Sequence, residues 1–170
     1  MLHGAALCTN DTVYALLVAD RGLPSTWTGA ALVSGIAAET AVLGAGPWLL
    51  ARFGPDRLVV AGMALGAVRW GLTAVLVDPW ALTAVQLLHG VVFELFWIGG
   101  VERMRQAAGE PIRASAQALF TVSGCGVGAL VSGLLASVAL PVLGTVGGFA
   151  VGAGLSAAAA GLAVWSGRRR

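Results

Sequence analysis

Residues 81–105, ALTAVQLLHGVVFELFWIGGVERMR, form an apolar run that carries Gln86, His89 and Glu94 in its interior and ends in a charged loop. A run of about 20 apolar residues is the length of a helix that crosses a bilayer. An ionisable side chain at bilayer depth costs about 2.5 to 3.5 kcal/mol on insertion scales, so a chain that keeps several of them generally uses them for ion or substrate passage. The rest of the sequence reads as the housing of this stretch.

Composition sets the class. The chain is 58% hydrophobic and 11% charged, against about 25% charged residues in soluble domains, and this makes it a membrane protein. Every basic residue is arginine, and all but Arg69 lie between or beside apolar runs, so the net charge of +2 points to no nucleic-acid partner. Cys8 and Cys125 both fall within apolar spans, where they read as small packing residues rather than halves of a disulfide. The start, MLHGAALCTNDTVYALL, lacks the basic region of a cleavable signal and runs directly into Asn10 and Asp11. Its abrupt first span suggests an upstream portion that is missing or supplied elsewhere.

Outward from the opening stretch, windows of about 20 apolar residues mark six spans. They cover 1–19, 28–50, 58–77, 81–101, 115–139 and 144–166, one transmembrane bundle over residues 1–170. All six are expected to be helices, because lipid tolerates no unpaired backbone and nothing alternates with the period of a barrel strand. Gly22, Pro24, Gly54, Pro55, Asp78, Pro79, Gly109, Pro111 and Pro141 punctuate the connections. The loops after spans two and four and the C-terminal tail hold Arg52, Arg57, Arg103, Arg105, Arg113, Arg168, Arg169 and Arg170, whereas the opposite loops hold only Arg21. Eight against one places both termini in the cytoplasm by the positive-inside rule, and an even helix count agrees.

Glycine and tryptophan refine the picture. Gly124, Gly126, Gly128 and Gly133 in span five, and Gly144, Gly148 and Gly152 in span six, read as close helix packing, with a hinge as the alternative. Trp27, Trp48, Trp80 and Trp165 lie near span ends, as belt residues do. Trp70 and Trp97 lie deeper and either pack or line a cavity.

The buried polar set runs Asn10 and Asp11, Glu39, Arg69, then Gln86, His89 and Glu94, with Gln117 entering span five. Arg69 stays protonated and needs a carboxylate, for which Glu39 and Glu94 are the candidates. The other acid is then free to titrate, and a carboxyl in a low-dielectric cavity suits a proton carrier near neutral pH. At about 100° per residue, Gln86, Gly90, Glu94 and Trp97 share a stripe, while His89 lies about 140° round from Glu94 and faces a neighbouring helix or the cavity edge. The competing structural reading takes these groups as interhelix hydrogen bonds, worth about 0.6 kcal/mol each in membrane bundles. No HExxH, GxSxG or P-loop motif occurs, and the two histidines have no metal-ligand spacing, so neither an enzyme nor a metal or other cofactor is implied.

On RWGLTA at 69–74, QLLHGVVF at 86–93 and ASAQALFTVSGCGVGALVSGLLA at 114–136, the chain resembles the C-terminal six-helix half of a major facilitator superfamily transporter. The resemblance is to the proton-symporter branch that includes lactose permease and the phenylpropionate permease-like proteins. The loop ARFGPDR at 51–57 is similar to the superfamily's charged loop motif, with Ala51 where an acid is usual. By this resemblance Glu39 matches a substrate-binding carboxylate, Arg69 an arginine that assists proton transfer, and His89 the histidine of the tenth family helix. The family's proton-carrying glutamate falls on Val92, and the nearest acid is Glu94. Asp11 corresponds loosely to acids of the seventh helix.

The resemblance implies a proton-coupled secondary transporter of a small organic solute in a bacterial-type inner membrane, working by alternating access against an N-terminal half. That half belongs to a longer chain, to a separate partner, or to a second copy in a homodimer. Glu94, His89, Arg69 and Glu39 are the candidates for proton coupling. Asp11, Glu39, Gln86, Trp97 and Gln117 are the candidates for solute binding. The alternatives are a membrane interaction protein or transporter remnant whose buried charges serve folding, and an intramembrane enzyme in which Ser123 or Cys125 reaches His89.

Overall fold

The computed structural model describes residues 2–167, without the side chains of residues 9–12. The expectations for Asn10, Asp11 and Arg168 to Arg170 therefore lie outside the described residues. The described chain is all helical: α1 (Leu2–Asp20), α2 (Thr26–Gly44), α3 (Gly46–Phe53), α4 (Pro55–Val75), α5 (Pro79–Val85), α6 (Leu87–Ala107), α7 (Arg113–Thr121) and α8 (Val127–Gly167). No strand occurs among the described residues. Four helical stretches, Thr26–Gly44, Pro55–Val75, Pro79–Ala107 and Glu110–Gly167, are long and apolar enough to cross a membrane.

Local sequence explains the breaks. Pro47 lacks an amide hydrogen, and it is housed in the first turn of α3 just after the joint at Ala45. Asp78 accepts a hydrogen bond from the Ala81 amide at 2.8 Å and so caps α5, with Pro79 next to it. Between α5 and α6 the helix tightens for one residue at Gln86, whose amide bonds to Thr83 O at 3.1 Å. The longest helix, α8, has 41 residues. Drawn straight it would measure about 60 Å, twice a hydrocarbon core of about 30 Å. It turns at Gly144, whose φ of 64° and ψ of −175° suit glycine alone. Residues 132–139 and 148–151 then line one small cavity together, so the two arms lie side by side.

Among the described helices α1 packs chiefly along α8 and buries one face in the core. Ala6, Val13, Leu17 and Val18 of α1 are all at most 1% exposed. They share a core with Trp70 of α4, Leu82 of α5, Val92 and Phe96 of α6, and Phe149 of α8. The outer face is apolar too: Val138 is 73% exposed and Val142 80%. An apolar exterior around a polar centre is the arrangement that lipid as a solvent requires.

Backbones approach closely where glycine removes a side chain. A Cβ on Gly90 of α6 would lie 2.3 Å from the Glu39 amide nitrogen of α2. Gly4 of α1 lies against the Gly124 backbone, and Gly152 against the Trp70 ring. These contacts are those of the packing reading, and Gly144 alone among the glycines of the last two spans supplies a turn. Residues 122–126 form a π-helical segment facing Gly4.

The two ends of the bundle differ in charge. At one end Arg103 pairs with Asp56, Arg105 with Glu102 and Arg113 with Glu110. At the other, Arg21 donates to the carbonyls of Leu76, Thr73 and Ala74 and closes the C-terminus of α4. A guanidinium suits the negative end of a helix, which explains the one arginine on the poor side. Thr145 also donates to Asp20 there, at 2.9 Å, and ties α1 to the turn of α8.

The crossing at Gly90 yields a direct prediction. Gly90→Ala must push α2 from α6 and should lower stability by about 1–3 kcal/mol, as overpacking does. Gly71→Ala, where a Cβ meets nothing within 4 Å, should leave thermal unfolding in detergent unchanged or slightly improved. Equal melting of the two variants would show that the close crossing does not carry stability.

Candidate functional site

The polar residues of α2, α4 and α6 meet in pairs. Gly35 and Gly90 let α2 lie close to α6, and Glu39 Oε1 comes 3.2 Å from His89 Nε2. One turn back on α6, at the joint with α5, Gln86 Oε1 accepts a hydrogen bond from Arg69 Nη2 at 2.6 Å. Arg69 is 1% exposed, and its guanidinium carbon also stands 4.4 Å from the Trp70 ring centre. The sequence paired Arg69 with Glu39 or Glu94. Among the described contacts, Arg69 bonds Gln86 and Glu39 meets His89.

His89 stands between two cavities. One, of about 370 Å³, is bounded by Tyr14 of α1, by Gly35, Ile36 and Glu39 of α2, and by Gln86 and His89. The other, of about 300 Å³, is bounded by Leu7 and Cys8 of α1, by His89, Phe93, Phe96 and Trp97 of α6, and by Cys125 and Ala129. Both are within the range of small-molecule sites or at its lower edge. Each pairs an apolar wall with a few polar atoms, which is how a pocket fixes the orientation of a small ligand.

Aromatic rings floor the second cavity. His89, Phe93 and Trp97 recur every four residues along α6 and stack in turn, with ring centres 6.1 and 5.7 Å apart. Phe120 of α7 meets Trp97 at 5.5 Å and Phe96 at 5.6 Å. Rings so arranged offer a flat apolar face to a solute while their edges remain packed.

Of the sequence candidates, Glu39, His89 and Gln86 come together around the first cavity, and Trp97 lines the second. Arg69 stands directly behind Gln86. Glu94 is 6% exposed, its Oε2 has no hydrogen-bond partner, and it lines neither cavity. Gln117 is half-buried on α7 and also lines neither. The Asp11 side chain lies outside the described residues.

Several participants escaped the sequence reading. Tyr14 lines the first cavity, its hydroxyl donating to Leu82 O at 3.5 Å. His3 is 1% exposed, bonds Ser156 at 3.0 Å and meets Phe96 edge-on at 4.7 Å. Phe93 could have been found, since the spacing 89, 93, 97 is one helical stripe. His3 could not, because its partner is 153 residues away in sequence.

Comparison with known proteins places this bundle. Residues 1–141 match the MFS_1 like family. The chain is 29% identical over 131 residues to a maltose permease of Geobacillus stearothermophilus, covering 76% of this chain and 32% of that protein. It is 34% identical over 99 residues to a xanthosine permease of Escherichia coli (strain K12), covering 55% of this chain and 23% of that one. The match thus spans about a third or less of the length of each relative. No solved structure matches the chain. With the family matched over most of its residues and an all-α membrane bundle in the structure, the chain belongs to the MFS_1 like family of major facilitator transporters.

Proposed function

We propose that the chain is one half of a secondary transporter that couples the movement of a small organic solute to protons, in the symporter branch named above. The observation that carries this reading is the polar set of Glu39, Gln86 and His89 on the wall of one cavity, with His89 also bounding a second and Arg69 buried behind Gln86. Groups that are expensive in lipid gather where a solute has room to bind. In this reading the all-helical bundle is a unit that would rock against a second such unit in alternating access.

The roles divide by exposure. Glu39 and His89 have side chains 27% and 17% exposed, so they meet solute and water first. Glu39 accepts from a solute hydroxyl or returns to His89. Gln86 and Tyr14 add an amide and a hydroxyl to the same wall. Glu94, buried with a free Oε2, holds the transported proton, and Arg69 behind Gln86 supplies the fixed positive charge against which that proton is exchanged. The relatives are named for maltose and xanthosine, and a hydroxylated solute with a flat face, a sugar or a nucleoside, fits polar atoms beside the Phe93 and Trp97 rings. Asp11 and Gln117 belong to the solute side of this reading by their helices. The arginine-rich end faces the cytoplasm, with the protein in the inner membrane.

Two measurements test this. In proteoliposomes that hold the chain with a partner half, a solute gradient should drive an internal pH change. Glu94→Gln keeps the shape and removes the proton, so it should reduce that change at least tenfold while solute exchange persists. An undiminished pH change in Glu94→Gln removes Glu94 from the coupling, and no solute movement by the intact assembly leaves a protein whose buried charges serve folding. For orientation, in a background without Cys8 and Cys125, Ser25→Cys should react with an impermeant maleimide from outside intact cells and Gly109→Cys only after lysis. The reverse pattern inverts the topology.

A further inference from the structure

A further cavity is remote from His89. It lies at the arginine-rich end, measures about 650 Å³, and is walled by the start of α4, by Arg103 of α6 and by the last turn of α8. Its lining grades with depth. Arg57, Asp56 and Arg103 form the rim, and Val60, Ala163 and Val164 lie about one turn deeper, roughly 6 Å along the helices. This is the profile of the boundary between lipid headgroups and acyl chains.

The charges at the rim are unequally engaged. Arg103 Nη1 is paired with Asp56 Oδ1, and the two cancel. Arg57 is exposed and makes no hydrogen bond or ion pair among the described residues. The rim therefore carries one uncommitted positive charge above an apolar slot. Beyond α8 the sequence continues with Arg168, Arg169 and Arg170.

The geometry points to a binding site for an anionic phospholipid of the leaflet at this end, its phosphate on Arg57 and an acyl chain against Val60 and Val164. A zwitterionic lipid brings a cation to a rim that is already positive. A free phosphate engages the guanidinium and leaves the apolar slot empty. An anionic lipid satisfies both, and basic pockets between helices on the arginine-rich side are where such headgroups are held. The occupied site would join α4, α6 and α8, which come from different passes, and so would brace one end of the bundle.

The test is retention of lipid by the purified chain in mild detergent, read by native mass spectrometry with phosphatidylglycerol, phosphatidylcholine and glycerol 3-phosphate as separate probes. Phosphatidylglycerol should be retained at least fivefold over phosphatidylcholine, and glycerol 3-phosphate should not be retained. Arg57→Gln should reduce phosphatidylglycerol retention about fivefold, the factor expected for one basic residue near a headgroup. Arg52→Gln, at the same end but outside the cavity, should leave it unchanged. Ala163→Trp fills the slot without touching charge and should also lower it, with circular dichroism checking that each variant remains helical. Equal retention of the two lipids, equal loss in Arg52→Gln and Arg57→Gln, or full retention in both Arg57→Gln and Ala163→Trp overturns the proposal. Retention of glycerol 3-phosphate as strong as that of the lipid also overturns it, in favour of a soluble anion.

Discussion

Contact between the backbones of α2 and α6 at Gly90 governs the distance at which the polar centre is assembled. With no Cβ at that position the Glu39 main chain approaches α6 directly, and the Glu39 carboxylate then reaches His89, one residue before the glycine, at 3.2 Å. A Cβ there would lie 2.3 Å from the Glu39 amide nitrogen, so a larger residue forces α2 outward. The same crossing closes the first cavity on one side, since Gly35 and Ile36 of α2 form its wall. Packing and chemistry are one constraint here: small residues set the spacing, and the spacing decides which polar atoms find partners.

That constraint matters because lipid supplies no hydrophobic drive between helices. Cohesion has to come from shape and from polar contacts, and the described contacts are distributed accordingly. The Arg21 cap on α4 and the Thr145 bond to Asp20 hold one end. Arg103 and Asp56 tie α6 to α4 at the other. Between them the helices touch through glycine and aromatic surfaces, with Trp70 filling the space against Gly152 and Phe120 lying across Gly100. Firm ends and a smooth middle suit a unit that moves as a whole against a neighbour.

Much of the fold was legible in the sequence, because an all-α membrane protein declares itself by apolar run length and by where its arginines fall. The joints were less so. Pro47 flags the break between α2 and α3, but nothing in ALTAVQLLHG announces that the helix tightens at Gln86. On the same helix Trp97 also continues the ladder of His89 and Phe93, whose rings stack every four residues. The partner of Arg69 was not legible either. An arginine in lipid calls for an acceptor and charge balance favours an acid, and among the described residues the amide of Gln86 is one acceptor that spacing alone did not point to. Interhelix partners such as His3 and Ser156 depend on which helices adjoin, and residue spacing within one span carries no such information.

The gradient of exposure through the polar centre bears on how the site works. Glu39 and His89 are partly open, whereas Arg69 is 1% and Glu94 6% exposed. A solute entering either cavity touches His89, because that ring belongs to both walls. Displacing the Glu39 carboxylate from Nε2 leaves a hydrogen on the imidazole without an acceptor, and Nδ1 has no partner in the structure to offset the loss. The solute must therefore supply the acceptor, or the histidine must change its proton. In the proposed reading a solute oxygen would do the first and a proton-coupled cycle the second. Under the symport reading proposed above, the Glu39 and His89 pair is where occupancy of a cavity would meet the proton state of the bundle, with the less exposed Arg69 and Glu94 behind it.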